Sequence, residues 1–271
     1  MKFLLITESL GHNFESQLIE ELKKQEVNPE ILDLSKIKTF VPKKYDLIYA
    51  RLMPYENYGL ISYYLSKILE IKGSKFVDSP DKVFNYQNKL LCYELLKDKI
   101  PIVETELLLP NSKIKFENTK VVKPLFGLAG YCVDKISKNS PKLLTLYFKK
   151  KSTSYLTYPC LIQDFIDFEK LVRVMILNKN PIFALSTDKK NWKCCIYREV
   201  YQIPLNNKLK KYSKIAAKEM DLNIGAFDFF FKDGEYIFNE FNYVPDLPNI
   251  NKILHYNFHK KVAKFFLNLA K

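Results

Sequence analysis

The stretch that most constrains the fold is residues 227–248, which read FDFFFKDGEYIFNEFNYVPDLP. Two apolar, aromatic-rich runs flank the KDGE tetrapeptide at 232–235, a pattern that predicts two antiparallel strands joined by a turn. Polar side chains nevertheless interrupt both runs. Asp228 stands near the head of the first run, and Glu240 and Asn242 lie two residues apart in the second, so the last two share one face of a strand.

These three residues can form one metal site only if Asp228 lies opposite Glu240. Carboxylate and amide oxygens are ligands of hard cations such as Mg²⁺, and a bound cation would offset the cost of burying acids. Opposite pairing requires an odd loop of three residues (233–235) or five. A two-residue Asp-Gly turn would instead pair Asp228 with Asn239 and direct Glu240 to the other face. The metal hypothesis therefore predicts a bulged loop, and the alternative is a polar sheet face open to water.

The composition is that of a soluble globular protein, with 47% hydrophobic and 27% charged residues. No apolar run approaches the roughly 18 residues that cross a bilayer, and the apolar run at the start is too short for a signal peptide. We therefore expect a cytoplasmic protein without a membrane partner.

The five cysteines show no metal-ligand spacing, and their odd number predicts reduced thiols in small core or site-wall positions: Cys92, Cys132, Cys160, Cys194 and Cys195.

The net charge of +13 comes from lysines spread along the whole chain. This distribution favours a solvated lysine-rich surface over a nucleic-acid site. Only three of the 43 basic residues are arginines: Arg51, Arg173 and Arg198. Because the planar guanidinium group binds carboxylate or phosphate through two parallel hydrogen bonds, all three are candidates for anion-binding positions. For Arg173, in an apolar strand, the alternative is a salt bridge with Glu240 or Asp228.

Strands and helices alternate over the first 80 residues, which predicts a small parallel sheet. There we expect strands at 2–7, 30–34, 45–52 and 75–79, and helices at 14–25 and 57–72, with Gly73 as a left-handed cap. Beyond it we expect a helix at 81–99, strands at 158–166, 170–177 and 181–187, and helices at 207–220 and 256–270. The expected domains are residues 1–80, 81–160 and 161–271.

Residues 120–133, KVVKPLFGLAGYCV, predict a strand, a glycine loop and a second strand. Lys123 ends the first strand, and Gly127 and Gly130 allow the loop to cover phosphate groups. The loop is not a Walker motif, since no Gly-Lys-Ser/Thr follows, and it is not a dinucleotide fingerprint, since a strand rather than a helix comes next. A plain hairpin turn is the alternative.

In this order the elements resemble the ATP-grasp superfamily, and within it the RimK-like carboxylate–amine ligases. The resemblance covers nearly the whole chain and depends on the set of motifs rather than on any single one. It implies an α/β (α+β) fold in which a small N-terminal α/β domain precedes two α+β lobes that clasp ATP. It also implies that a carboxylate attacks the γ-phosphate of ATP, and that an amine then displaces phosphate from the acyl phosphate to form an amide.

The resemblance further implies roles for individual residues. Lys89 and Lys123 would contact the ATP phosphates beneath the loop of Gly127 and Gly130. Arg173 would reach the γ-phosphate or the acyl phosphate. The resemblance implies that the adenine segment is Gln163, Phe165 and Ile166. The ligands of two Mg²⁺ or Mn²⁺ ions would be Asp228, Glu240 and Asn242. Arg51 and Arg198 would face the carboxylate substrate, and Arg198 would also be catalytic.

The family commonly adds an amino acid such as glutamate to a protein C-terminus or a small-molecule carboxylate, and its members are often homo-oligomers. The chain departs from the family pattern at Cys132, Cys195 and Asp246, where a glycine, an asparagine and a glycine are usual. An alternative hypothesis is therefore a nucleotide-binding relative with little turnover. The net charge of +13 suggests another alternative hypothesis, a basic RNA- or ribosome-associated protein.

Overall fold

The part of the chain that the structure describes contains three sheets, of three, four and five strands, with helices packed against them. The structure is a computed structural model, and it describes residues 1–8, 13–54, 58–109, 117–127, 130, 133–137, 159–193, 199–243, 247 and 249–271. Among the helices in these ranges, none combines the length and hydropathy that a membrane span requires.

The N-terminal sheet is parallel, as the alternating pattern predicts. Its central strand β1 (Phe3–Thr7) is buried along its whole length and pairs with β2 (Glu30–Asp33) and β3 (Leu47–Ala50). Helices α1 (Asn13–Lys23) and α2 (Gly59–Ile71) follow β1 and β3. Gly73 has the predicted positive φ, +81°.

The fourth strand predicted at 75–79 is reduced to one bridge between Ile48 and Phe76. The chain leaves the sheet at Asp78, whose carboxylate accepts hydrogen bonds from the backbone N–H groups of Asn223 and Ile224. Asn223 in turn donates through Nδ2 to the Val77 carbonyl at 2.6 Å. A side-chain link to a distant strand therefore replaces the expected ladder.

The single helix predicted at 81–99 is two helices, α3 (Pro80–Tyr86) and α4 (Lys89–Leu96). The helix is interrupted before Asn88, because the Asn88 side chain accepts hydrogen bonds from the backbone N–H groups of Leu90 and Leu91 and so caps the start of α4. The break places Lys89 at the first residue of α4. Its backbone N–H donates to the Leu125 carbonyl at 2.9 Å, which ties the helix to the start of the glycine loop.

The four-stranded sheet has the order β4-β7-β5-β6. Strands β5 (Lys120–Pro124) and β6 (Asp134–Ile136) pair antiparallel. The predicted strand before the glycine loop is confirmed, and the strand after the loop lies just beyond the predicted range of 120–133. Strand β4 (Thr105–Leu108) was not expected from its short TELL sequence, and it pairs with β7 (Cys160–Asp164). The expected domain boundary between residues 160 and 161 falls inside β7. The division into domains stays a prediction.

The five-stranded antiparallel sheet has the order β10-β9-β8-β11-β12. Its strands are β8 (Lys170–Leu177), β9 (Asn180–Asp188), β10 (Tyr201–Ile203), β11 (Ile224–Lys232) and β12 (Glu235–Asn242). Helix α5 (Asn207–Met220) precedes β11, and a short α6 (Ile250–Leu254) precedes α7 (Phe258–Leu269). The last helix returns to the N-terminal sheet, where the rings of Phe266 and Phe3 stack with centroids 6.2 Å apart.

The β11–β12 hairpin confirms the expected pairing but not the expected loop. Lys232 pairs with Glu235, so the turn is the two-residue Asp233-Gly234, and both residues have the positive φ of a type I′ turn, 49° and 78°. The ladder then shifts register at Asp228, which pairs with Glu240. The prediction of an odd loop was therefore wrong, because the extra residue is Asn239, in a β-bulge inside the ladder.

Candidate active site

A cleft lies between the four-stranded and five-stranded sheets. Its walls come from β5, the end of β7, the glycine loop, β11 and β12. Apolar side chains line part of it, including Val103, Val121, Val133, Phe168 and Phe230, and charged or polar groups line another part, including Lys89, Lys123, Asn239 and Glu240. A lining of this composition suits a small organic ligand with an anionic group.

Lys89 reaches the cleft from the first turn of α4. Its Nζ lies 3.5 Å from Oε2 of Glu240 and donates to the Gly127 carbonyl at 3.3 Å. The side chain is thus held between the glycine loop and strand β12. A cation in this position can neutralise phosphate charge, and Glu240, about a quarter exposed, faces the same space.

Lys123 is held by two groups that the sequence analysis did not select. Its Nζ donates to the Tyr93 hydroxyl at 2.6 Å and to Oδ1 of Asn239 at 3.3 Å. The Tyr93 hydroxyl itself donates to the Asn239 backbone carbonyl. The bulge in β12 therefore supplies both an amide and a carbonyl to the Lys123 site. Tyr93 lies four residues after Lys89, one turn along the same helix face, and that spacing was the available sequence signal.

Burial, together with the nearby positive charge of Lys89, lowers the pKa of Lys123 to about 7, and the Glu240 carboxylate opposes this shift. No carboxylate bonds directly to its Nζ among the described contacts. The desolvated ammonium group can therefore exchange its proton near neutral pH. An anionic ligand in the cleft would favour its charged form.

Asp228 in β11 pairs with Glu240, which lines the cleft, and its carboxylate accepts hydrogen bonds from Arg173 and Asn242. Arg173 in β8 donates from Nε to Oδ1 at 2.7 Å and from Nη2 to Oδ2 at 2.6 Å. Asn242 donates from Nδ2 to Oδ2 at 3.1 Å. Burial raises the pKa of Asp228, and the adjacent guanidinium group opposes that shift. Of the two alternatives for Arg173, the structure contains the salt bridge with Asp228.

Asp228, Glu240 and Asn242 are compatible with a divalent cation that is completed by a ligand. A carboxylate has about four acceptor positions, and Arg173 and Asn242 occupy three of those on Asp228. Among the described residues, no group of three or more His, Cys, Asp or Glu side chains is arranged to hold a metal ion. Mg²⁺, however, commonly takes one or two carboxylates and completes its shell with water and substrate phosphate oxygens, which is the kind of donor set present here.

The predicted adenine segment lines the same cleft. Gln163, Phe165 and Ile166 are all at its surface, although the Gln163 side chain donates to Oγ1 of Thr105 at 2.6 Å. The Phe168 and Phe230 rings stack with centroids 4.7 Å apart. Trp192, the one tryptophan of the chain, also lines the cleft. These flat apolar groups can accept a planar ring.

Arg51 is not among the described residues that line this cleft. Arg51 is buried in the N-terminal unit and donates from Nη1 to Oε1 of Glu15 at 3.0 Å. Arg198 lies outside the described residues, as do Cys132, Cys194, Cys195, Asp246 and the loop residues between Gly127 and Gly130. The proposed contacts of Arg51 and Arg198 with a substrate carboxylate remain predictions.

Comparison with known proteins gives a consistent picture. The RimK-like ATP-grasp domain model matches residues 87–266. Glutathione synthetase of Buchnera aphidicola subsp. Baizongia pistaciae is 28% identical over 141 residues, which are 50% of this chain and 43% of that enzyme. The matched region thus spans less than half the length of this relative.

Several solved structures share the fold at low sequence identity. D-cycloserine synthetase DcsG matches with a TM-score of 0.75 at 12% identity over 100% of both chains. The RimK domain ATP-grasp protein of Sphaerobacter thermophilus matches at 0.73 and 14% identity, over 98% of this chain and 100% of that one. The ATP-grasp ligase PsnB, complexed with a minimal precursor, Mg and ADP, matches at 0.69 and 15% identity, over 99% and 98%. The α+β ATP-grasp fold expected from the sequence is confirmed.

Proposed function

Because this chain belongs to the RimK-like ATP-grasp family, we propose that it is an ATP- and Mg²⁺-dependent ligase that joins a carboxylate to an amine. The observation that carries the proposal is one cleft in which Lys89, Lys123 and Glu240 converge beside apolar walls. Asp228 and Asn242 lie on the same sheet face as Glu240. A nucleotide has an apolar ring at one end and a polyphosphate at the other, and the cleft offers surfaces for both.

In the proposed complex the adenine lies among the apolar residues at the end of β7, and the phosphates lie toward Lys89 and Lys123. Asp228, Glu240 and Asn242 would hold two Mg²⁺ ions, with Mn²⁺ as an alternative. The bound ions would neutralise phosphate charge and polarise the transferred phosphoryl group. The complex of PsnB with Mg and ADP supports this assignment of cofactors by analogy.

The proposed reaction proceeds in two steps. A carboxylate oxygen of the substrate attacks the γ-phosphorus of ATP, the bond to the bridging oxygen breaks, and ADP leaves. The amine nitrogen then attacks the carbonyl carbon of the acyl phosphate, phosphate leaves with the C–O bond pair, and the nitrogen loses a proton. No enzyme nucleophile is required, so the side chains act by positioning and by charge neutralisation.

Lys123 and Arg173 have different roles in this scheme. Lys123, desolvated and held by Tyr93 and Asn239, places a compact positive charge near the transferred phosphate. Arg173 fixes the orientation of Asp228 in the present structure, and its contact with the γ-phosphate or acyl phosphate is a proposal. Arg51 and Arg198 are proposed to face the carboxylate substrate.

For the substrates, we propose an amino acid such as glutamate as the amine and a protein C-terminus or a small molecule as the carboxylate. Solved ATP-grasp relatives complexed with precursor peptides, PsnB and the macrocyclase MdnC, favour a peptide or protein on one side of the reaction. The free, buried Cys92 and Cys160 agree with a reducing compartment, and we propose that the enzyme acts in the cytoplasm.

The test is ADP release. The wild-type chain is supplied with ATP, Mg²⁺, single amino acids and pools of carboxylate compounds and peptides, and nucleotide binding is followed separately by the fluorescence of Trp192. We expect binding with ATP and Mg²⁺ alone, and ADP release only when an amine and a carboxylate are both present. Binding without turnover for any pair would favour the nucleotide-binding relative that the departures at Cys132, Cys195 and Asp246 suggest. Failure to bind nucleotide would contradict the proposal.

A further inference from the structure

The side chain of Gln163 is held by Thr105 on the neighbouring strand. Thr105 in β4 lies directly opposite Gln163 in β7, so both side chains project from the same face of the sheet. On its other side Gln163 lies opposite Val121 in β5, which lines the cleft. Gln163 is only 4% exposed and lines the same cleft, whereas Thr105 is not among the described residues of the lining. Thr105 therefore stands behind Gln163 and does not itself face a ligand.

The hydroxyl group of Thr105 can only accept a hydrogen bond from Gln163. A threonine hydroxyl carries one hydrogen, and Thr105 donates it from Oγ1 to the Val103 carbonyl at 2.8 Å. The contact of 2.6 Å between Thr105 Oγ1 and the Gln163 amide must then use a hydrogen of the amide nitrogen. The Nε2 end of Gln163 is therefore directed at Thr105, and the Oε1 end is directed away from it.

Tyr93 imposes the same orientation from a second side. Its hydroxyl donates its single hydrogen to the Asn239 carbonyl, so toward Gln163 it too can only accept. Burial raises the pKa of Tyr93, and a hydrogen bond with the Gln163 side chain opposes this shift. A hydrogen bond has that effect when it is donated to the phenolic oxygen. Both hydrogens of the Gln163 amide thus have acceptors within the protein, on Thr105 and on Tyr93.

The amide oxygen is the part of Gln163 that is left for a ligand. Among the contacts of the described residues, none involves Gln163 Oε1. If the amide were reversed, Oε1 would face two oxygens whose hydrogens are already used, and two hydrogen bonds would be lost. The cleft therefore presents Gln163 as a hydrogen-bond acceptor. A desolvated acceptor binds an N–H group and rejects a carbonyl oxygen, because two facing acceptors leave each other unpaired.

We propose that Thr105 is a specificity-determining residue: by fixing the amide of Gln163, it makes the cleft select a nucleotide base with an amino group over one with a carbonyl oxygen at the same position. This rests on the proposed function, in which the base of ATP lies at the segment that includes Gln163. Thr105 is then a positioning residue, since it acts on the base only through Gln163.

ATP and ITP are the two probes that isolate this contact. Adenine carries an amino group at C6, and hypoxanthine, the base of ITP, carries a carbonyl oxygen there on the same purine ring. The ribose and the triphosphate are identical in the two nucleotides. The ratio of their Kd values therefore reports the contact at C6 and cancels changes that affect phosphate binding equally.

The test is calorimetric titration of the full chain with each nucleotide in the presence of Mg²⁺. Wild type should bind ATP roughly 10- to 100-fold more tightly than ITP. Thr105→Val removes the hydroxyl at nearly constant volume and allows the amide to turn, so it should reduce this ratio by about fivefold or more. Thr105→Ser keeps the hydroxyl and should restore the ratio. The matched control Ser66→Ala deletes a hydroxyl that donates to a backbone carbonyl at 2.8 Å outside the cleft lining, and should leave the ratio unchanged.

A second pair of variants separates amide orientation from general damage to the fold. In Gln163→Glu the side chain presents an oxygen whichever way it is turned, so Thr105 no longer decides what the base meets. This variant should retain the preference for ATP, and adding Thr105→Val to it should leave the ratio of the two Kd values unchanged. An equal fall of the ratio with and without Gln163→Glu would show that Thr105 acts through the fold, and would overturn the proposal.

Two further outcomes would overturn the proposal and leave the proposed ligase activity standing. One is a wild-type chain that binds ATP and ITP equally, and the other is a folded Thr105→Val chain that keeps the wild-type ratio. Circular dichroism checks the folding of each variant, and the wild-type ratio does not depend on any variant. A wild-type chain that binds neither nucleotide would instead overturn the proposed function together with this proposal.

Discussion

Asp228 lies directly opposite Glu240 on neighbouring strands, and the insertion of Asn239 as a bulge makes this pairing compatible with a two-residue turn. The bulge aligns two acids on one sheet face. It also directs the Asn239 side chain and carbonyl toward Lys123 and Tyr93. One irregular residue thus connects the proposed metal face to the proposed phosphate site, which is consistent with the enrichment of bulges next to active sites.

Removal of the Tyr93 hydroxyl should weaken nucleotide binding and also lower the stability of the folded chain. Tyr93→Phe deletes the acceptor for Lys123 and leaves the Asn239 carbonyl without its hydroxyl donor, so we expect a loss of about 1–3 kcal/mol in stability. The Kd for ATP should also rise severalfold, as measured by titration calorimetry. The control Tyr236→Phe loses a comparable hydrogen bond from Asn206, 2.9 Å long and outside the cleft lining; equal effects of the two variants on ATP affinity would contradict the role of Tyr93.

Breaking the Arg173–Asp228 pair should be strongly destabilising. Arg173→Leu leaves a buried carboxylate without its partner, and we expect a loss of about 3–5 kcal/mol in the free energy of unfolding by urea. Replacing both residues with leucine should restore much of that stability, because no charge is then left unpaired. The double variant should still bind ATP and Mg²⁺ poorly. Strong Mg²⁺-dependent ATP binding by that variant would exclude the pair from the site.

Lys123 should make nucleotide binding pH-dependent. Its pKa of about 7 in the free protein means that raising the pH above 7 removes its proton, and phosphate binding must then restore it. ATP affinity should therefore fall as the pH rises from 7 to 9, with proton uptake detected by calorimetry in buffers of different ionisation enthalpy. Lys123→Arg, which stays protonated, should flatten this dependence. An unchanged slope in that variant would assign the titration to another group.

His259 should make the folded state sensitive to acid. Burial lowers its pKa from 6.5 to about 4, the Glu21 carboxylate opposes this shift, and Nδ1 has no hydrogen-bond partner among the described residues. Between pH 6.5 and 4 the unfolded chain therefore binds the proton that the folded chain excludes, so stability falls as the pH falls through this window. We expect about 2 kcal/mol to be lost from pH 7 to 5. In His259→Leu this component should be absent from the difference between the urea curves at the two pH values.

The broad organisation could be predicted because it depends on periodic patterns. The apolar run at residues 2–7 predicts a strand of a small parallel sheet, and the KDGE turn between aromatic runs predicts the β11–β12 hairpin. Both signals are local, and both were confirmed. Glu240 could be selected because a charged residue stands out in an apolar run, and Lys89 and Lys123 were selected through the resemblance to the RimK-like ligases.

The remaining features are overridden or left open by the local pattern. Helical periodicity continues through residues 81–99, so the break at Asn88 was missed, although an asparagine is a favoured N-cap residue and this cap sets the start of α4 at Lys89. The bulge at Asn239 could not be chosen over a longer loop, because both give the same pairing of Asp228. Residues 75–79 have the composition of a strand, but Asp78 bonds to Asn223, 145 residues later, rather than continuing the sheet.

The most direct test of the central claim is thermal unfolding of wild type and Glu240→Gln with ATP, each with and without Mg²⁺. A ligand at about 100 times its Kd adds roughly 2.7 kcal/mol, and each kcal/mol moves Tm by about 2–4 °C at this chain length. The account predicts a Mg²⁺-dependent rise of several degrees in wild type that is largely lost in Glu240→Gln. No rise in wild type, or an equal rise in the variant, would contradict the assignment of this cleft and of Glu240.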